Sequence, residues 1–233
     1  MSTSAELITL VRDIIDLEES DLPTSLLRTY LRDGYDRVIN LERRWPFFEV
    51  TYTFNTTANV RDYPISGIGS GNLREATSVV DTSMAGNRLR LISPDEAEAV
   101  WVGGLDQPSR PLFFTFWGSN LSLYPKPETV YAMKVRGYRK PTYTWVTDGV
   151  SQVDCDERLH TALAYYALSK AYERQEDPEM SVVYKRTFEE AVGLARAEIM
   201  RSSAHRPMIL SGGRPYPSMN RWMQDLGRTL GQP

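Results

Sequence analysis

Cysteine and histidine are nearly absent: the 233 residues hold one Cys, Cys155, and two His, His160 and His205. A lone thiol permits no internal disulfide, so the fold must stand without cross-links, as suits a reducing compartment or indifference to redox. The same scarcity starves a metal centre built on His or Cys, which draws on three or four such ligands. Long hydrophobic runs are missing too, and nothing approaches the roughly 20 uncharged apolar residues of a membrane span. The first 21 residues have no basic head, and Arg12 and Asp13 interrupt their apolar run, so no secretory leader is expected there. Strong net charge is also lacking. With 27 Lys+Arg against 30 Asp+Glu the balance is −3, and no overall basic field draws the chain onto nucleic acid. No Gly-Lys-Ser/Thr occurs. The run Gly67-Ile68-Gly69-Ser70-Gly71-Asn72 has Asn72 where a dinucleotide fingerprint needs its third Gly, and strand character follows where a helix is required. A plain flexible loop is expected instead.

What is present is ordinary globular material: 41% hydrophobic, 24% charged and 11% aromatic residues, enough for one domain or two small ones sharing a core. Its charge is uneven. Residues 1–200 hold 22 Lys+Arg and 29 Asp+Glu, a net of −7, whereas Arg201, Arg206, Arg214, Arg221 and Arg228 face only Asp225 in 201–233, a net of +4.

Thr3 and Glu6 have the spacing of a capping box, and Leu7, Leu10, Val11, Ile14 and Ile15 follow as one stripe, which predicts a helix. A second helix is expected from Asp21, with Pro23 in its first turn and the stripe Leu27, Tyr30, Leu31, Gly34, Val38, Leu41, Trp45, ending at Pro46. From 47 to 150 the period shortens. Val50, Tyr52 and Phe54 alternate with Thr51, Thr53 and Asn55, and glycine-rich turns separate further short strands at 77–80, 88–92, 112–117, 121–124 and 130–138. Gly118-Ser119-Asn120 joins two of these as a hairpin. Ser93 and Pro94 start a short helix to 101. Helical spacing returns at Asp154 and Glu157, with a buried face of Leu159, Ala162, Leu163, Tyr166 and Ala167. Asp177-Pro178 opens a last helix burying Val183, Tyr184, Phe188, Ala191, Val192, Ala195 and Ile199; its short connection makes an antiparallel hairpin. The class is α+β. Residues 1–46 and 151–202 form a helical body, 47–150 a small antiparallel β insert, and 203–233 an extended C-terminal arm.

No catalytic constellation emerges. The acids at Asp154, Asp156 and Glu157 suit the positive end of the following helix better than a cation site, and His160 and His205 lack partners at ligand spacing. Cys155 has no basic neighbours to activate it. Trp101, Trp117, Tyr124 and Trp145 alternate with apolar neighbours, which favours core over a glycan platform. Arg136-Gly137-Tyr138-Arg139-Lys140 interleaves bases with an aromatic, as nucleic-acid platforms do, though a strand ending in solvent gives the same string. The arm differs from everything before it. Pro207, Gly212, Gly213, Pro215 and Pro217 forbid regular structure, yet Met219, Trp222, Met223, Leu226 and Leu230 recur at helical spacing among arginines. Such a segment is made to dock.

Two stretches carry a resemblance. The first is Leu41-Glu42-Arg43-Arg44-Trp45-Pro46-Phe47-Phe48, followed by Arg61-Asp62-Tyr63-Pro64-Ile65. The second is Arg110-Pro111-Leu112-Phe113-Phe114 through Leu123-Tyr124-Pro125-Lys126-Pro127, with the helical hairpin around 160–172, Asp177 and 184–191. Over about 5–200 the chain resembles the head-to-tail adaptors of tailed bacteriophages, a group that includes the tail accessory factor of short-tailed phages. The resemblance implies a non-enzymatic structural protein of the virion neck, assembled in the host cytoplasm and needing no cofactor or metal. It implies a ring under the portal protein, usually of twelve copies, with tail or nozzle proteins on its other side. Genomic DNA would pass through the lumen without specific binding, and no membrane is involved. The arm would bind the portal. Its anchors would be Arg206, Arg214, Tyr216, Arg221, Trp222, Met223, Leu226 and Arg228, placed by position and by the weight of aromatic, Met and Arg side chains at interfaces. The alternative is a nucleic-acid-binding module using the basic arm and 136–140; a glycan-directed enzyme of the β insert is a distant third.

Overall fold

A computed structural model describes residues 2–16, 19–83, 87–101 and 107–202. The chain divides into units Met1–Met200 and Arg201–Pro233, and all but the last two described residues lie in the first. The fold is α+β, as expected.

Helix α1 (Ser4–Ile15) starts at the anticipated capping box, with Thr3 Oγ1 accepting from the Glu6 N–H and the Glu6 carboxylate accepting from the Thr3 N–H. Its buried face is Ser4, Leu7, Ile8, Val11 and Ile15, rotated one residue from the expected stripe, so Leu10 and Ile14 are exposed. Helix α2 (Thr24–Leu41) begins later than expected. Pro23 is its N-cap rather than an interior residue, and the helix stops at Leu41. Trp45 therefore lies outside the helix, yet it is fully buried and donates its indole N–H to the Val38 carbonyl at 3.1 Å. Indole burial with a satisfied N–H folds the chain back under α2.

Helix α5 (His160–Arg174) is the hub of the helical part. Ala162, Leu163, Ala164, Tyr166, Ala167, Leu168, Ser169 and Ala171 are all buried, more than one face of a surface helix would be. Gly34 of α2 makes one close approach to it: a Cβ there would lie 3.0 Å from the Tyr166 ring. Asp177 caps the last helix, α6 (Pro178–Ser202), by accepting from the Met180 N–H at 3.1 Å. Phe188, Val192, Ala195 and Ile199 are buried along it; Tyr184 is half-buried and stacks on Tyr172, and Val183, expected inside, is exposed. The start of α5 corrects another expectation. Asp156, not Asp154, caps the single turn before it by accepting from the Arg158 N–H, which releases Asp154 for a different role.

The strands are β1 (Glu49–Asn55), β2 (Asp62–Pro64), β3 (Leu73–Asp81), β4 (Asn87–Arg88), β5 (Arg90–Leu91), β6 (Phe113–Trp117), β7 (Asn120–Tyr124) and β8 (Ala132–Arg139). They make two four-stranded sheets, ordered β1-β8-β3-β4 and β2-β7-β6-β5. The run at 88–92 is thus split between sheets at buried Leu89. Every pair is antiparallel except β5 with β6, which is parallel. The β6–β7 hairpin turns on Gly118, at φ +57°, and Ser119. Helix α3 (Pro94–Trp101) is capped by Ser93, as its sequence suggests, and the short helix α4 (Thr144–Asp148) follows β8.

Core residues Tyr63, Ile68, Leu73, Val79, Phe114, Leu121, Leu123, Met133 and Val135 lie in a cluster distinct from that of the helices. The helical cluster nevertheless takes in Phe48, just before β1, and Tyr138, near the end of β8. The glycine run is no bare loop: it forms two short 3-10 turns that bury Ile68 and lay Gly69, at φ +60°, against the Tyr52 ring.

His160 is buried. Its Nδ1 accepts from the Ser2 N–H at 3.0 Å, and Nε2 faces the Cys155 carbonyl at 3.4 Å, so the neutral Nε2–H tautomer ties the N-terminal segment to α5. Burial lowers its pKa from the ordinary 6.5, against a smaller upward pull from the Cys155 carbonyl. A histidine whose folded pKa is depressed stabilises the fold above the unfolded value, and that contribution falls away as pH drops below about 6.5 towards the folded value. A melting-temperature profile from pH 7.5 to 5 should therefore slope downwards with acidity, and His160→Gln should flatten that slope.

Candidate partner-binding surfaces

The eight arm residues named above, Arg206, Arg214, Tyr216, Arg221, Trp222, Met223, Leu226 and Arg228, lie outside the described residues. What is described is the helix that leads into them. Near its C-terminal end α6 is held by two ion pairs to other parts of the helical body: Arg196 to Glu42 at 2.8 Å and Glu198 to Arg158 at 3.6 Å. Ile199 remains in the core two residues before Arg201. These contacts fix the last turns of α6 on the helical body.

The string at 136–140 does not make a platform. Tyr138 is buried in the helical core, so its ring offers no stacking face. Arg139 is committed to Asp154: its Nη1 donates to one carboxylate oxygen at 2.8 Å, its Nη2 to the other, and its guanidinium lies over the Phe48 ring. Asp154 also accepts from the Thr142 N–H at 2.7 Å and from the Tyr35 hydroxyl. Burial pushes this carboxyl's pKa up, but Arg139 and the Thr142 N–H outweigh it and hold it below the usual carboxylate value. Burial and the facing Asp154 charge likewise drive the Tyr35 phenol far above its ordinary pKa. Tyr35 packs edge-on against Tyr143 and Trp145, at 5.7 and 5.4 Å. This cluster joins α2, the end of β8 and the loop before α5. Only Arg136 and Lys140 of the string are left exposed.

A second buried ion pair sits in the β part. Asp81, wholly buried, accepts from Nε and Nη2 of Arg110 at 2.8 and 2.6 Å and from the Ser83 N–H at 2.8 Å, and the guanidinium lies over Tyr131. Among the described residues, two clefts lie on the helical part. One, of about 300 Å³, runs past Arg37, Lys170, Lys185, Glu173 and Glu176, where Lys170 and Glu173 pair at 2.6 Å. The other, of about 410 Å³, is lined by Arg28, Arg32, Asp33 and Asp36. The first sets three basic groups against two acidic ones and the second two against two, and in neither is a nucleophile hydrogen-bonded to a base among the described residues. The Cys155 thiol is pushed well above its ordinary pKa by burial and by the charges of Asp154 and Asp156, the opposite of activation. Among the described residues no His, Cys, Asp and Glu group could hold a metal ion, and no helix is long and apolar enough to cross a membrane.

Sequence reading missed the aromatic that is most exposed among the described residues. Trp145 and Tyr124 are buried as expected, but Trp117 is 69% exposed. Its place beside the two-residue turn, at the tip of a sheet rather than over its middle, was the available signal. The Trp101 side chain lies outside the described set.

The sequence profile of the SU10 adaptor protein family matches residues 2–209. The chain belongs to this family. It is a phage adaptor, of a structural class found at the head-to-tail junction. No curated protein matches it. The match closes at 209, so of the eight predicted anchors the adaptor has only Arg206 inside the family segment; Arg214 to Arg228 follow it.

Proposed function

We propose that this adaptor is a non-enzymatic ring subunit of the virion neck, set under the portal protein and offering tail or nozzle proteins an attachment site. The family match over 2–209 carries the reading. Its parts are a helical body (1–46 with 151–202), a β insert (47–150) and an arm (203–233) that docks on the portal. The ring is a dodecamer, and genomic DNA passes its lumen without specific binding. An arm at +4 leaving a body at −7 supports this division of labour: the arginines set register on an acidic partner while Trp222 and Met223 supply buried apolar contact. That seven of the eight anchors, Arg214 to Arg228, follow the family segment fits a tail matched to one partner.

The test is truncation after Ser203. The body should keep its melting temperature, while a multi-copy complex with portal rings, seen by native mass spectrometry, should be lost. Aromatic and arginine anchors are each worth about 2–4 kcal/mol at an interface, so portal affinity should fall by at least about 100-fold. Undiminished binding would remove the arm from the mechanism. The nucleic-acid alternative now rests on the arm alone, since Tyr138 and Arg139 are otherwise engaged.

A further inference from the structure

Strand β1 (Glu49–Asn55) is an open sheet edge. In its antiparallel ladder with β8 the main chains of alternate residues face the partner, and the Thr56 N–H bonded to the Tyr131 carbonyl at 2.9 Å sets the phase. Val50, Tyr52 and Phe54 therefore turn their N–H and C=O groups towards β8. Thr51, Thr53 and Asn55 turn theirs outward, where no described residue bonds to them. Side chains follow the same alternation: Val50, Tyr52 and Phe54 sit on the core face but remain half-buried, while Thr51, Thr53 and Asn55 are exposed.

Exposed edges are normally blunted by proline, lysine, a bulge or short length. The other margins of these sheets are. Strand β2 has three residues and ends in Pro64, β4 and β5 have two residues each, and two register shifts break β3 along the margin that β4 leaves uncovered. Strand β1 has seven residues, no proline, no lysine and no bulge.

We propose that this edge pairs with the same edge of a second copy, antiparallel about Tyr52, joining two sheets into one. The sequence is its own complement in that register. Thr51 falls opposite Thr53 of the second copy, Glu49 opposite Asn55, Val50 opposite Phe54 and Tyr52 opposite itself, so no like charges meet and all seven residues overlap. The outward groups of Thr51 and Thr53 then bond to each other, and the half-open aromatic and aliphatic side chains cover one another across the seam. A neighbour in a ring meets β1 with a different surface, and the remaining described edges are too short or too irregular to match seven residues. An isologous pair uses both edges at once and stops at two. The contact thus protects the free subunit from open-ended strand addition, and it is independent of the portal.

Sedimentation of the full chain tests this. Wild type should show a reversible monomer–dimer equilibrium, with the Thr51 and Thr53 amides exchanging slowly only in the dimer. Thr53→Pro removes an N–H that bonds to no described residue of the subunit, so the monomer's melting temperature should hold while the dimer's dissociation constant rises by on the order of tenfold or more. Thr51→Lys with Thr53→Lys sets lysine opposite lysine and should do the same without altering the backbone. A wild type that stays monomeric up to about 0.5 mM would overturn the proposal, since such a contact would be weaker than a specific interface. So would a dimer indifferent to both variants, or amide protection that appears only when another phage protein is added, which would assign the edge to a foreign strand.

Discussion

Gly137→Ala is expected to be the most damaging single-methyl change in the described chain. A Cβ at Gly137 would lie 2.0 Å from the Glu75 carbonyl oxygen and 2.8 Å from the Ala76 Cα. Both are backbone atoms, so no rotamer change relieves the clash. Gly137 lies on β8, between Val50 of β1 and Ala76 of β3. Room can be made only by prising β3 from β8, which also disturbs Glu75, the partner of Arg43 and Arg44. Overpacking without a flexible neighbour costs about 3 kcal/mol or more, equivalent to roughly 10 °C in melting temperature for a domain of this size. Gly67→Ala is the control: nothing lies within 4 Å of its Cβ position, and it should melt with wild type. Equal melting of the two variants would show that the strands do not approach so closely.

Asp154→Ala should be comparably severe for an electrostatic reason. It strands the Arg139 guanidinium, whose side chain is only 24% exposed, and leaves the Thr142 N–H without its acceptor. Removing one member of a buried pair costs about 3–5 kcal/mol, because the other charge stays desolvated and uncompensated. Pairing Asp154→Leu with Arg139→Met removes both charges and should recover most of the loss, as measured by a double-mutant cycle in urea. The wild-type pair also has a pH signature. Since the folded carboxyl titrates below its unfolded value, its contribution is complete above the unfolded pKa and is lost as pH falls through the folded one. Urea midpoints followed from pH 5 to 2 should show that acid limb in wild type and lose part of it in the double variant.

Local periodicity was enough to read every α-helix but the short one at Thr144–Asp148, and most strands. The capping box at Thr3 and Glu6, the Asp177-Pro178 start of α6, the Ser93 cap and the β6–β7 hairpin all depend on residues within a few positions of one another. Legibility failed where a side chain's partner is distant in sequence. Asp154 has the spacing of a helix cap, but Arg139, Thr142 and Tyr35 surround it and Asp156 takes the cap. Arg136 to Lys140 alternate as a basic–aromatic platform would, and only the helical core's claim on Tyr138 dissolves it. Trp45 reads as the end of a helical stripe, yet it is buried after the helix has ended. Val183 continues a stripe along α6 that the surrounding helices are not placed to cover.

The sequence by itself determined the α+β class, the order of the longer helices and of most strands, the scarcity of His and Cys, the charge break near 202 and the family. Those properties are local or additive, so they survive without knowledge of what touches what. Tertiary structure decided which charges are buried in pairs, that His160 is a neutral clasp, that Gly137 admits no side chain, and that β1 is left as the one long unblunted edge among the described strands. Each of these depends on desolvation or close approach between residues far apart in the chain, and no pattern along the chain encodes that distance.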